Sequence, residues 1–278
     1  MRLDIKKTYK LFIGGQFPRS ESGRSYEITS PRGEFLANAA QASRKDLRDS
    51  VVAARSAFSN WSSATAFNRG QILYRIAEIM EGRRDQFIAE IAACEGVTSK
   101  KSSEQVDAAI DLWVWYAGWC DKYTSIAGSQ NPIAGPFYNF TTPEPLGVVG
   151  AIADQKSSLL GLVHAIAPII TSGNCAVVIA HERAPLSAIT LGEVLATSDL
   201  HAGVVNLLTG KVSELSPWLA AHMDVDGIDL SGVARKNIGE LQHVAAENLK
   251  RCHSFSGESL ERILAFTESK TVWHPIGV

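Results

Sequence analysis

The second half of the chain alternates short apolar runs with helical patterns, and this alternation constrains the fold more than any other feature. Helical patterns at about 158–171, 185–195 and 213–222 separate runs that are typical of buried strands, at 146–152, 175–179, 204–208 and 227–230. Strands that are apolar throughout and alternate with helices form a parallel sheet with helices on both faces. We therefore predict an α/β fold, whose ligands would bind at the carboxyl ends of the strands.

The chain is predicted to be helical from about residue 43 to residue 129. Ser43 and Asp46 have the spacing of a capping box, which indicates that a helix begins there. Leu47, Val51 and Trp61 belong to an apolar stripe with the helical period. Patterns of the same kind predict three further helices, at about 68–81, 83–94 and 102–116.

Three segments lie outside these patterns and are predicted to be strands or extended chain. Residues 9–29 contain the apolar run Tyr9 to Ile13, and the Gly14-Gly15 pair that follows is a turn signal. The prolines within 130–147 favour an edge strand. The tail at 262–278 contains another strand candidate at 271–274.

Charge and composition exclude several classes of partner and indicate a compartment. The 278 residues include 27 Lys and Arg against 29 Asp and Glu, so there is no electrostatic case for nucleic acid or an anionic membrane as partner. The N-terminus lacks the apolar run of a signal peptide, and the apolar stretch at 159–170 is too short to span a bilayer. Four widely separated cysteines without a CxxC pair predict reduced thiols in a cytoplasmic protein: Cys94, Cys120, Cys175 and Cys252.

Several motifs together resemble the aldehyde dehydrogenase superfamily. They include the entry hairpin LFIGGQ at 11–16, the helix NRGQIL at 68–73 and the strand entry EPLGVVG at 144–150. SGNCAVV at 172–178 and NLKR at 248–251 keep the same order. The resemblance covers about residues 9–252, and it implies a Rossmann-like nucleotide-binding sheet plus a small β oligomerisation arm.

The resemblance also implies that the catalytic domain of the family is absent. Within a dozen residues of the NLKR motif the chain reaches FTESKTVW at 266–273, which is similar to the last strand of the family. We therefore expect residues 1–30, 130–146 and 262–278 to form the oligomerisation arm. Residues 31–129 with 147–252 would form the nucleotide-binding-like domain, and residues 253–261 would replace the catalytic domain.

The family's catalytic groups are not matched in this sequence, so we predict no catalytic residue. None of the four cysteines aligns with the nucleophile, although Cys252 follows two basic residues that could lower its pKa. Phe255 stands at the position of the general base, and a phenyl ring cannot accept a proton. Lys156 stands where the family has an oxyanion-stabilising Asn, in a loop that has diverged throughout.

The resemblance points to four vestigial cofactor-binding residues. Glu182 follows the second strand of the sheet at the position of a ribose-binding Glu, and Ala180 replaces the accompanying Lys. Gly210 follows the third strand, while Ser231 and Gly232 precede the helix that the family places near a pyrophosphate. We expect no cofactor and leave NAD(P) open, because Arg235 and Lys236 add positive charge near that helix.

Two hypotheses of different classes follow. The first is a non-catalytic subunit that acts through oligomerisation, pairing with a full-length aldehyde dehydrogenase or with itself as a structural or regulatory partner. The alternative is an NAD(P)-dependent aldehyde oxidoreductase, or an NAD-binding subunit of one, in which Cys252 or a partner supplies the thiolate.

Overall fold

The computed structural model of the chain describes residues 5–277. Its strands are β1 (Thr8–Tyr9), β2 (Ser25–Thr29), β3 (Phe35–Ala40), β4 (Ser129–Gln130), β5 (Phe137–Pro145), β6 (Val148–Ile152), β7 (Cys175–Ile179), β8 (Val205–Leu208), β9 (Gly227–Asp229), β10 (Arg251–His253) and β11 (Thr267–Pro275). Its helices are α1 (Arg44–Ser63), α2 (Ala66–Gly82), α3 (Arg84–Glu95), α4 (Ser99–Ala117), α5 (Tyr123–Ala127), α6 (Leu160–Thr171), α7 (Leu186–Leu195), α8 (Val212–Ala221), α9 (Arg235–Ala246) and α10 (Leu260–Leu264). Among these described helices, none has the length and apolarity that crossing a bilayer requires.

The centre of the molecule is a parallel sheet of five strands in the order β10-β9-β6-β7-β8, which confirms the predicted fold class. All residues of β6, β7, β8 and β9 are buried, as their continuous apolar runs predict. Helices α1 and α8 contact one another and pack on the sheet. Helices α6 and α7 also pack on the sheet, and they are covered in turn by α2, α3 and α4. The strand order reverses between β6 and β9, so a crevice is expected outside their carboxyl ends.

The start of α1 confirms the predicted capping box. The Ser43 hydroxyl accepts a bond of 3.2 Å from the Asp46 amide, and the Asp46 carboxylate accepts one of 2.7 Å from the Ser43 amide. Leu47, Val51 and Trp61 of the predicted stripe are buried against the sheet. Local sequence and tertiary packing therefore agree over this helix.

The structure divides the expected oligomerisation arm between two sheets. Strands β5 and β11 pair antiparallel over nine positions and, with β4, form one small sheet. The N-terminal strands do not join it: β1, β2 and β3 form a separate sheet, and Phe12 pairs with Leu207 at the edge of β8. The role of residues 1–30 in an oligomerisation arm stays a prediction. The N-terminal sheet is held in place by burial, because apolar residues such as Ile28 belong to the same buried cluster as Ile189 of α7.

Two elements at the two ends of the short link were not predicted from the sequence. Residues 251–253 form β10, which extends the parallel sheet beside β9. The chain then forms the short helix α10 and enters β11. The link therefore crosses the carboxyl end of the sheet before it reaches the arm.

Candidate functional site

A cleft of about 660 Å³ lies at the carboxyl ends of β6 and β9, at the point where the strand order reverses. It is lined by the loop at 154–157, the first turns of α6, the turn at 231–235 and link residues around Phe255. A larger groove of about 810 Å³ runs between α2 and α4, away from this edge. The cleft is the candidate site because ligands of open α/β sheets bind at such a switch point.

A buried ion pair closes the floor of the cleft. Arg262 of α10 reaches Asp229 at the end of β9, with 3.2 Å between guanidinium and carboxylate, and the two side chains are only 4% and 3% exposed. The guanidinium also donates to the carbonyl of Gly257 at 2.7 Å and to that of His164 at 3.1 Å. Burial raises the pKa of Asp229, and the bonds from Ser231 and the charge of Arg262 oppose that rise.

The aromatic ring of Phe255 covers this ion pair. Arg262 lies 4.9 Å from the centre of the Phe255 ring, which is within cation–π range. The ring of His253 stacks on Phe255 with centroids 5.7 Å apart, and the Phe266 ring meets Phe255 edge-on. The residue that the resemblance places at the family's general base thus packs against two rings and a guanidinium.

Ser231 and Gly232, two of the four predicted cofactor residues, line the cleft. The Ser231 amide donates to the Asp229 carboxylate at 2.8 Å, and the Ser231 hydroxyl donates to the same oxygen and accepts from the Phe255 amide. The Gly232 amide donates to the carbonyl of Ile152 at 3.0 Å. A Cβ atom at Gly232 would lie 2.0 Å from the Ala153 carbonyl oxygen, so this approach of two backbones requires glycine.

Glu182 and Gly210, the other two predicted cofactor residues, lie outside the lining of this cleft. The Glu182 carboxylate accepts from the amide of Val212 at 2.9 Å, at the start of α8. Its carbonyl accepts from the hydroxyl of Tyr26 at 3.1 Å. The structure thus engages Glu182 in bonds within the chain, and it separates the four predicted residues into two places.

Two side chains that the sequence analysis did not single out complete the edge. The ring nitrogen Nδ1 of His181 accepts from the amides of Arg183 and Ala184 at 3.2 and 3.0 Å, so the ring proton lies on Nε2 and points at the Gln155 carbonyl, 2.9 Å away. Burial lowers the pKa of His181 and favours this neutral form. Glu95 accepts from the amide of Ser158 at 2.7 Å, just before α6. No local sequence pattern predicts the contact of His181 with Gln155 or that of Glu95 with Ser158, because each joins residues that are distant in the chain.

The structure offers no activated nucleophile among the cysteines. Burial raises the pKa of Cys252, and the nearby Lys250 lowers it by less, so the expected lowering by neighbouring charge does not prevail. Burial raises the pKa of Cys94, Cys120 and Cys175 to about 12. Among residues 5–277 there is no group of three or more His, Cys, Asp or Glu side chains that could hold a metal ion.

Comparison with known proteins identifies the family. A sequence model described as "Aldehyde dehydrogenase family" matches residues 17–259. The chain belongs to the aldehyde dehydrogenase family. It is 35% identical to retinal dehydrogenase 2 of Gallus gallus over 90% of its own length, and 30% identical to omega-crystallin of Enteroctopus dofleini, also over 90%. It spans about half of these relatives, 49% and 50% of their lengths.

Solved structures of aldehyde dehydrogenases share the fold over the same region. The NAD⁺ complex of the aldehyde dehydrogenase from Bacillus cereus superposes with a TM-score of 0.83 at 26% identity, covering 88% of this chain and 50% of that one. HpcC from Thermus thermophilus superposes with a TM-score of 0.85 at 29% identity, covering 90% and 48%. The Rossmann-like half of an aldehyde dehydrogenase is therefore present here, and the match spans about half of each of these solved chains.

Three of the four predicted cofactor-binding residues already form bonds within the chain with the groups that a dinucleotide would contact. A dinucleotide of this kind is held by free backbone amides at a helix start and by an acidic side chain on a ribose. Here the amides of Ser231 and Gly232 and the carboxylate of Glu182 are all bonded to other groups of the chain. We derive no catalytic step through a nicotinamide cofactor.

Proposed function

We propose that this aldehyde dehydrogenase family member is a non-catalytic subunit that acts through its small β sheet, pairing with a full-length aldehyde dehydrogenase as a structural or regulatory partner. One observation carries the proposal: β11 is a nine-residue strand at the edge of the β11-β5-β4 sheet. An exposed edge strand presents unpaired amides and carbonyls to another chain. The raised pKa values of the cysteines support the non-catalytic part of the proposal.

Hydrogen bonds at the two ends of β11 define which of its amides point outward. The carbonyl of Phe266 accepts from the amide of Leu146, and the amide of Ile276 donates to the carbonyl of Pro136. The backbone amides and carbonyls of the even-numbered residues of β11 therefore point toward β5. Pro143 and Pro145, which have no amide hydrogen, lie opposite the odd-numbered positions Ser269 and Thr267. Among the exposed residues of β11, the outward amides are therefore those of Ser269, Thr271 and Trp273.

Exposed aromatic rings accompany this edge. Trp273 is 57% exposed and meets the ring of Phe137, itself 39% exposed, edge-on at 5.9 Å. Tyr138 is 44% exposed on the opposite face of the ribbon. Rings of this size contribute strongly when a partner covers them, so backbone pairing along β11 would be reinforced by apolar burial.

The test is complex formation with a full-length aldehyde dehydrogenase from the same organism, measured by size-exclusion chromatography with light scattering. We expect one peak that contains both chains. Ser269→Pro removes an outward amide without removing a bond to β5, and it should weaken the complex roughly tenfold or more. Ser269→Val at the same exposed position keeps the amide and should retain the complex.

Three results would contradict the proposal. Two separate peaks would exclude the partner. A complex that tolerates Ser269→Pro as well as Ser269→Val would place the contact elsewhere. A stable homodimer that uses the same edge and excludes the full-length chain would make a second copy the partner.

As part of the same proposal we place the subunit in the cytoplasm, because its four thiols are free.

A further inference from the structure

We propose that a groove between α1 and α8 binds small organic anions whose charged group is joined to an apolar ring, such as aromatic carboxylates. The groove has a volume of about 500 Å³, which lies in the range of small-molecule sites. No described residue lines both this groove and the cleft at the switch point. The inference does not depend on the proposed partner, because none of the described lining residues belongs to β11.

The groove forms where one face of α1 meets one face of α8. Each face is defined by residues at spacings of three and four, which the helical period places side by side. The α1 face includes Arg44, Leu47 and Arg48, and the α8 face includes Trp218, Ala221 and the cap residue His222. The two helices pack against one another, so the two faces enclose a shared space.

Apolar side chains form the inner part of the groove. Leu47 is only 1% exposed, and Trp218 is half-buried, with part of its side chain packed against the core. Ala221 is exposed and has a small side chain. An apolar ring seated here would exchange water for the surfaces of Leu47 and Trp218, which favours its binding.

Three basic side chains supply positive charge at the groove, and its described lining includes no carboxylate. Arg44 forms no ion pair and no side-chain hydrogen bond with the described residues. Arg48 is bonded to Asp49 at 2.8 Å, and Lys45 lies 3.8 Å from Glu21, but both pairs are exposed. Exposed pairs of this kind contribute little to stability, so Arg48 and Lys45 can also contact an anion.

The stability of α1 does not explain why these basic residues stand where they do. They occupy the first two turns of the helix, where its dipole disfavours positive charge. The start of the helix is already stabilised by the capping box of Ser43 and Asp46. A conflict between local sequence and local electrostatics is expected where residues serve a site rather than the fold.

His222 adds a neutral donor to the groove. Its Nδ1 accepts from the amide of Asp224 at 3.2 Å, so the proton of the neutral ring lies on Nε2, which has no partner within residues 5–277. Burial lowers the pKa of His222; Asp224 opposes this, and the charges of Lys250 and Arg44 reinforce it. The carboxylate of Asp224 is itself bonded to Arg55 at 2.7 Å. The Nε2 proton is therefore available to an anionic oxygen.

Fluorescence titration of the intact chain with anilinonaphthalene sulfonate tests the inference, because this probe joins a sulfonate to aromatic rings. We expect a saturable rise in probe emission that competition with naphthoate reverses. The neutral analogue naphthalenemethanol should compete roughly tenfold more weakly, since it lacks the charge that the basic residues bind.

Two pairs of matched variants locate the site. Arg44→Gln removes the unpaired cation and should weaken naphthoate binding roughly tenfold, whereas Arg32→Gln, in the exposed turn before β3, removes an equal charge and should have no effect. Ala221→Glu places a carboxylate in the groove and should abolish naphthoate binding, while Ala221→Gln, of nearly the same size, should retain it. All three positions are exposed, so the fold should tolerate these changes, and the urea midpoint verifies this.

Four results would overturn the inference. Absence of saturable binding of the probe would show that the groove takes no such anion. Equal effects of Arg44→Gln and Arg32→Gln would show that net charge acts, rather than the groove. Binding that persists in Ala221→Glu as in Ala221→Gln would place the site elsewhere. A peptide of alternating glutamate and phenylalanine that binds more tightly than naphthoate, and is weakened by the same substitutions, would make a protein segment the occupant.

Discussion

Replacing Arg262 by methionine should destabilise the fold strongly, because it leaves a carboxylate buried without its counter-charge. The two partners are 4% and 3% exposed, so solvent screens their interaction very little. Removing one partner of a buried pair costs about 3–5 kcal/mol. The Gly257 and His164 carbonyls also lose their bonds from the guanidinium. For a chain of this size the change corresponds to a melting temperature lower by roughly 6–20 °C.

The assay is urea unfolding followed by tryptophan fluorescence, supported by thermal melts. A double variant, Asp229→Asn with Arg262→Met, provides the matched control. It removes both charges and keeps an oxygen that can accept the bonds of Ser231, so it should lose less than half as much stability as Arg262→Met. The loss of unfolding free energy caused by Arg262→Met should also be smaller at pH 5 than at pH 7, since proton uptake neutralises the unpaired carboxylate of Asp229. A cost of less than about 1 kcal/mol, or a double variant as unstable as the single one, would refute the role given to this pair.

Three further predictions follow from burial and close approach. Gly232→Ala should lower the free energy of unfolding by about 2–3 kcal/mol in a urea melt, because the new Cβ would lie 2.0 Å from the Ala153 carbonyl oxygen. The control Gly239→Ala lies in open space on α9 and should stabilise the fold by about 0.5–1 kcal/mol. Equal effects of the two substitutions would contradict the packing described. Under native conditions a thiol reagent should modify Cys252 slowly and leave the other three cysteines until the chain unfolds; rapid reaction of a second thiol would be inconsistent with their burial and raised pKa. Burial lowers the pKa of four histidines, so the fold favours their neutral form: His164, His181, His222 and His253. Their contribution to stability is complete above pH about 6.5 and is lost as the pH falls through the pKa of the folded state. The urea midpoint should therefore drop between pH 7.5 and 5.5, and an unchanged midpoint would contradict the assignment.

Elements governed by local chemistry were predictable to within a few residues. The strand Cys175–Ile179 has the predicted bounds, and α1 begins at the predicted capping box. The glycines at 14 and 15 form the predicted turn, with φ of 59° and 74°. In each case the residues that determine the element are neighbours in the chain, so their pattern carries the information.

The candidate site was only partly predictable. Ser231 and Gly232 line the cleft, and the bonds that they form within the chain depend on Asp229, Ile152 and Phe255. Strand β10 was missed because it has three residues and its pairing with β9 is set by the sheet rather than by a periodic pattern. The sheet that the N-terminal strands join was not predictable, since an apolar strand does not specify its partner.

Hydrophobic periodicity and chain order are sufficient to predict the parallel sheet, its covering helices and the edge at which a ligand would bind. Which backbone amides along that edge are bonded within the chain depends on tertiary packing. Glu95 reaches Ser158 across 63 residues, and Arg262 reaches Asp229 across 33. Contacts of this range depend on the packing of whole elements, and they determine whether the amides at a helix start are available to a ligand or are bound by the protein itself.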